Sequence, residues 1–166
     1  SLAAAVAARV MDVRSDVIRE SLASFEGVPH RLERVRTLEG VRYVNDSKAT
    51  NVNAVWYALE SYNRPIVLIA GGRDKGNDYA AIKPLIKEKV RAVIALGESA
   101  DTVLEEIGTL APACDIAISM EDAIQKAERM AKRGDVVLLS PACSSFDMFD
   151  NYEDRGDTFR RLVMSL

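Results

Sequence analysis

The sequence is poor in the residues that build metal centres and nucleophilic triads. It has one histidine and two cysteines, Cys114 and Cys143, which lie far apart and lack metal-ligand spacing. We therefore expect reduced thiols and no metal site formed by this chain. No histidine neighbours Cys143, Ser144 or Ser145, and no Gly-x-Ser-x-Gly elbow is present, so a covalent nucleophile has no support.

Other absences narrow the class of protein. There is no Gly-Lys-Ser/Thr run and no fingerprint of a dinucleotide-binding fold. The chain by itself therefore cannot bind a triphosphate in the manner of a P-loop. Its longest apolar runs, such as Ile66–Ala70, are far too short to cross a bilayer. Lys plus Arg number 22 against 25 Asp plus Glu, and no basic stripe is present. We expect a cytoplasmic monomer that binds no nucleic acid and spans no membrane.

Two short helices are expected before a boundary or hinge near Gly27 and Pro29. The chain has 166 residues, does not begin with Met and opens directly onto a good helix former, so we interpret it as a piece of something longer. The boundary divides it into residues 1–27 and a domain of residues 28–166.

Beyond the boundary, hydrophobic patterning predicts an α/β domain. Alternation at Leu32–Leu38 and a return at Val41–Val44 indicate an edge hairpin, and later strands and helices alternate. The predicted fold is a Rossmann-like, mainly parallel six-stranded sheet with an antiparallel edge hairpin strand and helices on both faces. The remaining strands are Pro65–Ala70, Ala92–Leu96, Asp115–Ile118 and Asp135–Leu139. The helices are Leu2–Val10, Ser15–Phe25, Val52–Ser61, Tyr79–Lys89, Ala100–Gly108, Ala123–Lys132 and about Asp154–Met164.

Three unusual loops follow three of these strands: Asn45–Asn51, Gly71–Gly76 and Ser140–Asp147. Each has an ordinary alternative explanation, such as an N-cap by Thr50 or Asn51, or a tight glycine turn. The carboxyl ends of parallel strands share one edge, however, and ligands of open α/β sheets bind there. We therefore favour a binding site.

The side chains in these loops suggest an anionic ligand. Lys48 and Lys75 would converge with the hydroxyls of Thr50 and Ser145, and a helix begins directly after the first loop. Two ammonium groups and two hydroxyls suit a dicarboxylate or a phosphate.

The motifs, in their order along the chain, closely resemble the C-terminal domain of the D-glutamate-adding members of the Mur ligase family. The resemblance covers roughly residues 24–166. It rests on His30-Arg31, Asn45-Asp46-Ser47-Lys48-Ala49-Thr50-Asn51, Gly71-Gly72-x-x-Lys75, Ser140-Pro141-Ala142-Cys143-x-Ser145-Phe146-Asp147-x-Phe149 and Tyr152-Glu153-x-Arg155-Gly156. Three positions depart from the family pattern without removing a ligand group: Ser144 for alanine, Met148 for glutamine and Tyr152 for phenylalanine.

The resemblance implies the third domain of an ATP-dependent amide ligase of peptidoglycan synthesis, inactive alone. ATP converts the carboxylate of UDP-N-acetylmuramoyl-L-alanine to an acyl phosphate, and the amine of D-glutamate attacks it. Mg²⁺ and its ligands belong to the central domain, of which residues 1–27 would be the helical tail.

The resemblance also implies roles for individual residues. Lys48 is the catalytic residue, near phosphate and the D-glutamate site. The residues that bind ATP are Arg31, Asp46 and Lys48. D-Glutamate is held by Thr50, Lys75, Ser145, Phe146 and Tyr152.

Two alternatives stay open at this point. The first is the corresponding domain of another Mur ligase or of a folylpolyglutamate synthase, which would accept a different amino acid. The second is a non-catalytic module that binds a nucleotide or a dicarboxylate.

Overall fold

A computed structural model describes residues 2–25 and 27–166. The strands are β1 (Glu33–Leu38), β2 (Val41–Asn45), β3 (Ile66–Gly71), β4 (Val90–Leu96), β5 (Ala113–Ala117) and β6 (Val136–Leu139). The helices are α1 (Leu2–Val10), α2 (Ser15–Ser24), α3 (Val52–Glu60), α4 (Lys83–Lys89), α5 (Ala100–Glu106), α6 (Met120–Met130) and α7 (Tyr152–Ser165). None of the helices in these ranges is long and apolar enough to cross a membrane.

The strands form one sheet in the order β1-β2-β6-β3-β4-β5. The β1–β2 hairpin is antiparallel, and every other pairing is parallel. This confirms the predicted six-stranded sheet with its antiparallel edge strand. The last strand of the chain, β6, inserts between β2 and β3, so those three strands point the same way as neighbours.

Both faces of the sheet are covered because successive side chains of a strand point to opposite sides. In β3, Ile66 and Leu68 join the core that α3, α4 and α5 cover. Val67 and Ile69 join the core beneath α6 and α7. All six residues of β3 are buried, which explains its continuous apolar sequence.

One predicted helix is differently built. Tyr79–Lys89 was expected as a single α-helix, but it contains a 3-10 turn, Ala80–Ile82, followed by α4. Pro84 stands in the first turn of α4, where its missing N–H costs no helical hydrogen bond, so it starts a new helix there.

The first two helices are set apart from this core. Neither α1 nor α2 has a buried residue, and the cleft between them is lined by their own small and apolar side chains. Leu2, Val10 and Met11 are each 79% exposed. Apart from each other, α1 and α2 therefore lack an apolar partner within the described chain.

Candidate functional site

The three unusual loops meet at one rim of the sheet, as predicted. Their strands β2, β6 and β3 are parallel neighbours, and Asn45, Leu139 and Ile69 are aligned in register. The β2 loop accepts at Ala49 O a hydrogen bond of 2.9 Å from Ala142 N in the β6 loop. The three loops therefore form one continuous surface above the carboxyl ends of the strands.

The β3 and β6 loops are joined even more closely. Arg73 and Ser144 exchange two backbone hydrogen bonds, 2.9 and 3.2 Å long. Gly72 has a φ of +133°, and a Cβ on it would collide with Ser144 O. Glycine is required there because the two backbones approach too closely for any side chain.

A buried arginine on α7 bonds two of the loops and lies close to the third. Arg155 is 2% exposed; its Nε and Nη2 donate to Ser47 Oγ and Ser47 O, each at 2.9 Å. Both terminal nitrogens donate to Cys143 O at 3.2 Å. Nη1 lies 3.3 Å from where a Cβ on Gly72 would stand. The guanidinium thus bonds the β2 and β6 loops together and lies beside Gly72 of the β3 loop.

No carboxylate lies within 4 Å of this guanidinium in the described parts of the chain. Burial lowers the pKa of Arg155 to about 10, which leaves it a cation at neutral pH. Loop carbonyls stabilise its charge, and at longer range the Asp147 carboxylate raises the pKa of Arg155 against the effect of burial. A guanidinium cation with a carboxylate nearby therefore stands beneath the backbone of the rim.

A cleft of about 410 Å³ opens beside the β2 loop. Its lining includes Arg31, Asp46 and Lys48, the three residues expected to meet ATP, together with the exposed ring of Tyr57. The structure brings these three side chains to one cavity although Arg31 precedes the hairpin.

Both carboxylate oxygens of Asp46 are held by hydrogen bonds in that cleft. Its Oδ1 accepts from Leu32 N at 3.1 Å, and its Oδ2 accepts from Ser140 Oγ at 2.8 Å. Burial raises the pKa of Asp46 to about 6, against the opposing effects of these hydrogen bonds and of Arg31. Asp46 is 4% exposed, so burial has the largest influence on its pKa.

Lys48 is held from α7. Its Nζ donates to Tyr152 OH at 2.9 Å and stands 4.9 Å from the centre of that ring. The neighbouring Ser47 donates its hydroxyl to Tyr152 O at 2.8 Å. The predicted catalytic residue and one predicted D-glutamate ligand are therefore in direct contact.

The remaining expected D-glutamate ligands lie on the same rim. Thr50 is half-buried in the β2 loop, Ser145 is buried in the β6 loop, and Phe146 is 61% exposed. Lys75 is exposed at the tip of the β3 loop. Within the described residues, the hydroxyls of Thr50 and Ser145 and the ammonium of Lys75 make no hydrogen bond.

The Lys75 turn is closed and anchored by residues that the sequence interpretation did not single out. Asp74 Oδ1 accepts from Asn77 N at 2.9 Å, and Asn77 Nδ2 donates to Ala142 O at 3.2 Å. Asn77 therefore ties the β3 loop to the β6 loop. Its signal in the sequence was weak, because an Asp-Lys-Gly-Asn segment is also an ordinary turn.

Arg155 and Gly156 did carry a signal. A cation in the first turns of a helix opposes the helix dipole, and a glycine inside a helix lowers its stability. Both features therefore indicate contacts with residues outside the helix. Arg155 is bound to the loops of the rim. Gly156 packs against His30, whose Nδ1 would collide with any Cβ there.

A larger cleft, about 510 Å³, lies at the opposite rim between the starts of β3 and β4. Two of the four cations in its lining are paired, Arg91 with Asp135 at 2.6 Å and Lys89 with Glu60 at 3.7 Å, whereas Arg64 and Lys87 form no ion pair in the described residues. The side chains singled out from the sequence lie at the loop rim instead, although the cavity there is smaller.

Comparison with known proteins identifies related sequences. A domain-family model described as "Mur ligase, glutamate ligase domain" matches residues 30–143. The chain is 72% identical over 166 residues to a UDP-N-acetylmuramoylalanine–D-glutamate ligase of Salinibacter ruber, covering all of this chain and 36% of the relative. It is 51% identical over 170 residues to the enzyme of that name from Porphyromonas gingivalis, covering 100% and 37%.

A solved structure, the MurF ligase from Thermotoga maritima in complex with ADP, aligns with a TM-score of 0.59 at 19% identity. The alignment covers 96% of this chain and 36% of that one. At this identity the match establishes the fold alone.

Asp46 should impose a distinctive pH dependence on stability. Because its pKa is raised in the folded state from 3.8 to about 6, the folded protein binds more protons than the unfolded chain between those values. Its contribution to stability is present at low pH and is lost as pH rises. We expect the free energy of unfolding of wild type minus that of Asp46→Asn to fall by about 3 kcal/mol from pH 3.5 to pH 7.

Urea unfolding of both proteins across that range measures the difference, and the subtraction removes the effect of other carboxylates. Asparagine can still accept from Leu32 N. Two stability curves that stay parallel from pH 3.5 to 7 would contradict the assigned pKa.

Replacing Arg155 should loosen the whole rim. Arg155→Met leaves the buried carbonyls of Ser47 and Cys143 without their donors, so we expect a loss of about 2–4 kcal/mol in the free energy of unfolding. Arg155→Lys keeps the charge, but its single ammonium group cannot reach both loops. This variant should therefore recover only part of the lost stability.

The matched control is Arg161→Met on the same helix, an exposed position, where a change within about 0.5 kcal/mol is expected. Chemical denaturation measures the free energy of unfolding of all three variants. Equal stability of the Arg155 and Arg161 variants would show that the guanidinium does not hold the loops.

Proposed function

Because the chain belongs to the family of the Mur ligase glutamate ligase domain, we propose that it is the C-terminal domain of an ATP-dependent ligase that adds D-glutamate to UDP-N-acetylmuramoyl-L-alanine in peptidoglycan synthesis. The two curated relatives bear that name and match this chain from end to end. The chain spans a little over a third of their length, so activity belongs to the longer protein.

Residues 28–166 constitute the domain in this proposal, and residues 1–27 are the tail of the central domain that precedes it. The family match begins at residue 30, which supports the boundary. The exposed apolar side chains of α1 would then pack against that preceding domain. Glu26, beside the proposed hinge, lies outside the described residues.

The rim holds D-glutamate through its two carboxylates. Lys75 and the hydroxyl of Thr50 bind one carboxylate, and Ser145 binds the other together with the backbone near Phe146 and Tyr152. The hydroxyls and the ammonium have no competing partner in the described chain, which supports this assignment. The buried charge of Arg155 favours an anion above it.

The neighbouring cleft holds ATP, which supplies the phosphoryl group that activates the acceptor carboxylate. Ionised Asp46 accepts hydrogen bonds from ribose hydroxyls, while Arg31 and Lys48 face phosphate oxygens. The cleft offers two cations and one immobilised carboxylate, which fits a nucleotide. The described residues contain no group of three or more His, Cys, Asp or Glu that could hold a metal ion. As the family resemblance implies, Mg²⁺ would be held by the central domain.

One observation carries the proposal: Lys48 stands between the two proposed sites. It lines the ATP cleft and contacts Tyr152 of the D-glutamate site. A cation at that junction lies where transferred phosphate and attacking amine must meet, which is the position a ligase requires.

The substrate assignment is tested with the full-length protein that contains this chain. Phosphate release from ATP is measured with UDP-N-acetylmuramoyl-L-alanine and, in turn, D-glutamate, L-glutamate, L-alanine and a diamino acid. We expect D-glutamate to be required. Turnover with another amino acid instead would assign the chain to another Mur ligase activity, and nucleotide binding without turnover would favour a non-catalytic module.

Within that assay, Lys75→Ala should lower kcat/KM for D-glutamate at least ~100-fold, equivalent to about 2.7 kcal/mol, because the variant loses the main charge facing one carboxylate. Lys87→Ala, an exposed lysine at the opposite rim, is the matched control and should leave kcat/KM unchanged. Similar kinetics for the two variants would remove Lys75 from the site.

A further inference from the structure

Tyr152 is fixed at both ends by two consecutive residues of the β2 loop. Ser47 Oγ donates to its backbone oxygen at 2.8 Å, and Lys48 Nζ donates to its phenol oxygen at 2.9 Å. The ring also meets the His30 ring edge to face, with centroids 6.1 Å apart. The position of the hydroxyl is therefore well determined.

We propose that the Tyr152 hydroxyl is a positioning group that holds the Lys48 ammonium in place for the anionic ligand while leaving its positive charge uncompensated. This inference rests on the proposed function of the site. It concerns the hydroxyl alone and is separate from contacts that the Tyr152 ring or backbone makes with D-glutamate.

A phenol suits this task better than a carboxylate does. A lysine side chain has about 2 kcal/mol of rotamer entropy to lose when it is immobilised, so an unheld lysine binds less efficiently. A carboxylate partner would hold it but would also neutralise it and compete with the ligand. In the described residues no carboxylate lies within 4 Å of Lys48 Nζ, and the phenol is its hydrogen-bond acceptor.

A phenol oxygen has lone pairs as well as a proton, so it can accept from Lys48. The nearby Tyr152 hydroxyl is the main cause that lowers the pKa of the neighbouring Glu153 carboxyl, and Lys48 and His30 act in the same direction. Glu153 is exposed, and no ion pair joins it to Lys48 in the described residues.

The decisive variant is Tyr152→Phe in the full-length protein, which keeps the ring and removes one oxygen. We expect kcat/KM for D-glutamate to fall about tenfold, as for the loss of a hydrogen bond to a charged group, with no change in melting temperature. Tyr43→Phe removes the same atom from a buried tyrosine of β2 whose hydroxyl makes no hydrogen bond in the described chain, and should retain wild-type kinetics. Unchanged or higher kcat/KM in Tyr152→Phe would overturn the proposal, the latter by showing that the hydroxyl only sequesters the lysine.

A second measurement is independent of turnover. Trace acetylation of the full-length protein with acetic anhydride, followed by mass spectrometry of the Lys48 peptide, reports how readily the amine reacts. Freed from the phenol, Lys48 should react several-fold faster in Tyr152→Phe and at the wild-type rate in Tyr43→Phe. Equal rates in the three proteins would show that the contact is absent.

The two experiments separate this inference from the proposed function. If wild type shows no D-glutamate-dependent turnover, the proposed function fails. Faster acetylation in Tyr152→Phe would then still establish the contact, but the ligand-directed role of the hydroxyl would fall with the function.

Discussion

The insertion of β6 between β2 and β3 is the constraint on which the site depends. Had β6 added at an edge, the β2 and β3 loops would be neighbours and the β6 loop would stand apart. In the observed order the three loops rise side by side from aligned strands, and one side chain, Arg155, reaches all of them. The segment from Ser140 to Asn151 is short and contains no helix, so α7 begins directly behind the rim. A residue in the first turns of α7 can therefore contact the loops.

Three cations of the rim form no ion pair in the described residues. Arg155 donates to carbonyls, Lys48 donates to a phenol, and Lys75 projects from a loop tip. A fourth rim cation, Arg73, is paired with Glu98, as Arg91 is with Asp135 at the opposite edge. A neutral acceptor holds a cation without cancelling its field. The chain has a net charge of −3, yet this edge of the sheet is organised to receive an anion.

Much of this could be predicted from the sequence because periodicity is local. The apolar run of β3 and the alternation of β1 led directly to a parallel sheet with an edge hairpin, and the loops that follow strands had to share an edge. The Ser-x-x-Asp segment before α6 is a local signal of the same kind, since the Ser119 hydroxyl accepts from Asp122 N. The roles of the individual ligand residues stay predictions, because they depend on molecules that bind at the rim.

What the sequence could not show depends on contacts between distant segments. Arg155 lies more than a hundred residues from Ser47, and no local pattern links them. The raised pKa of Asp46 depends on burial, against hydrogen bonds from Leu32 and Ser140 that lower it, and only the folded chain brings these groups together. The division of the Tyr79–Lys89 segment at Pro84 was readable in principle, but helical periodicity across the proline obscured it.

Backbone strain is concentrated at the same rim. Five described residues other than glycine have a positive φ; Asp12 and Glu39 are in tight connections, and the others are His30, Leu32 and Ala142. Such conformations cost of order 1–3 kcal/mol each and persist only where the surroundings enforce them. Lys48 N donates to His30 O, Leu32 N donates to Asp46, and Ala142 N donates to Ala49 O. The β2 loop therefore holds every one of the three strained residues. A loop that makes these hydrogen bonds is itself rigid. The Lys48 ammonium is therefore in position before the ligand binds, and binding costs little further conformational entropy.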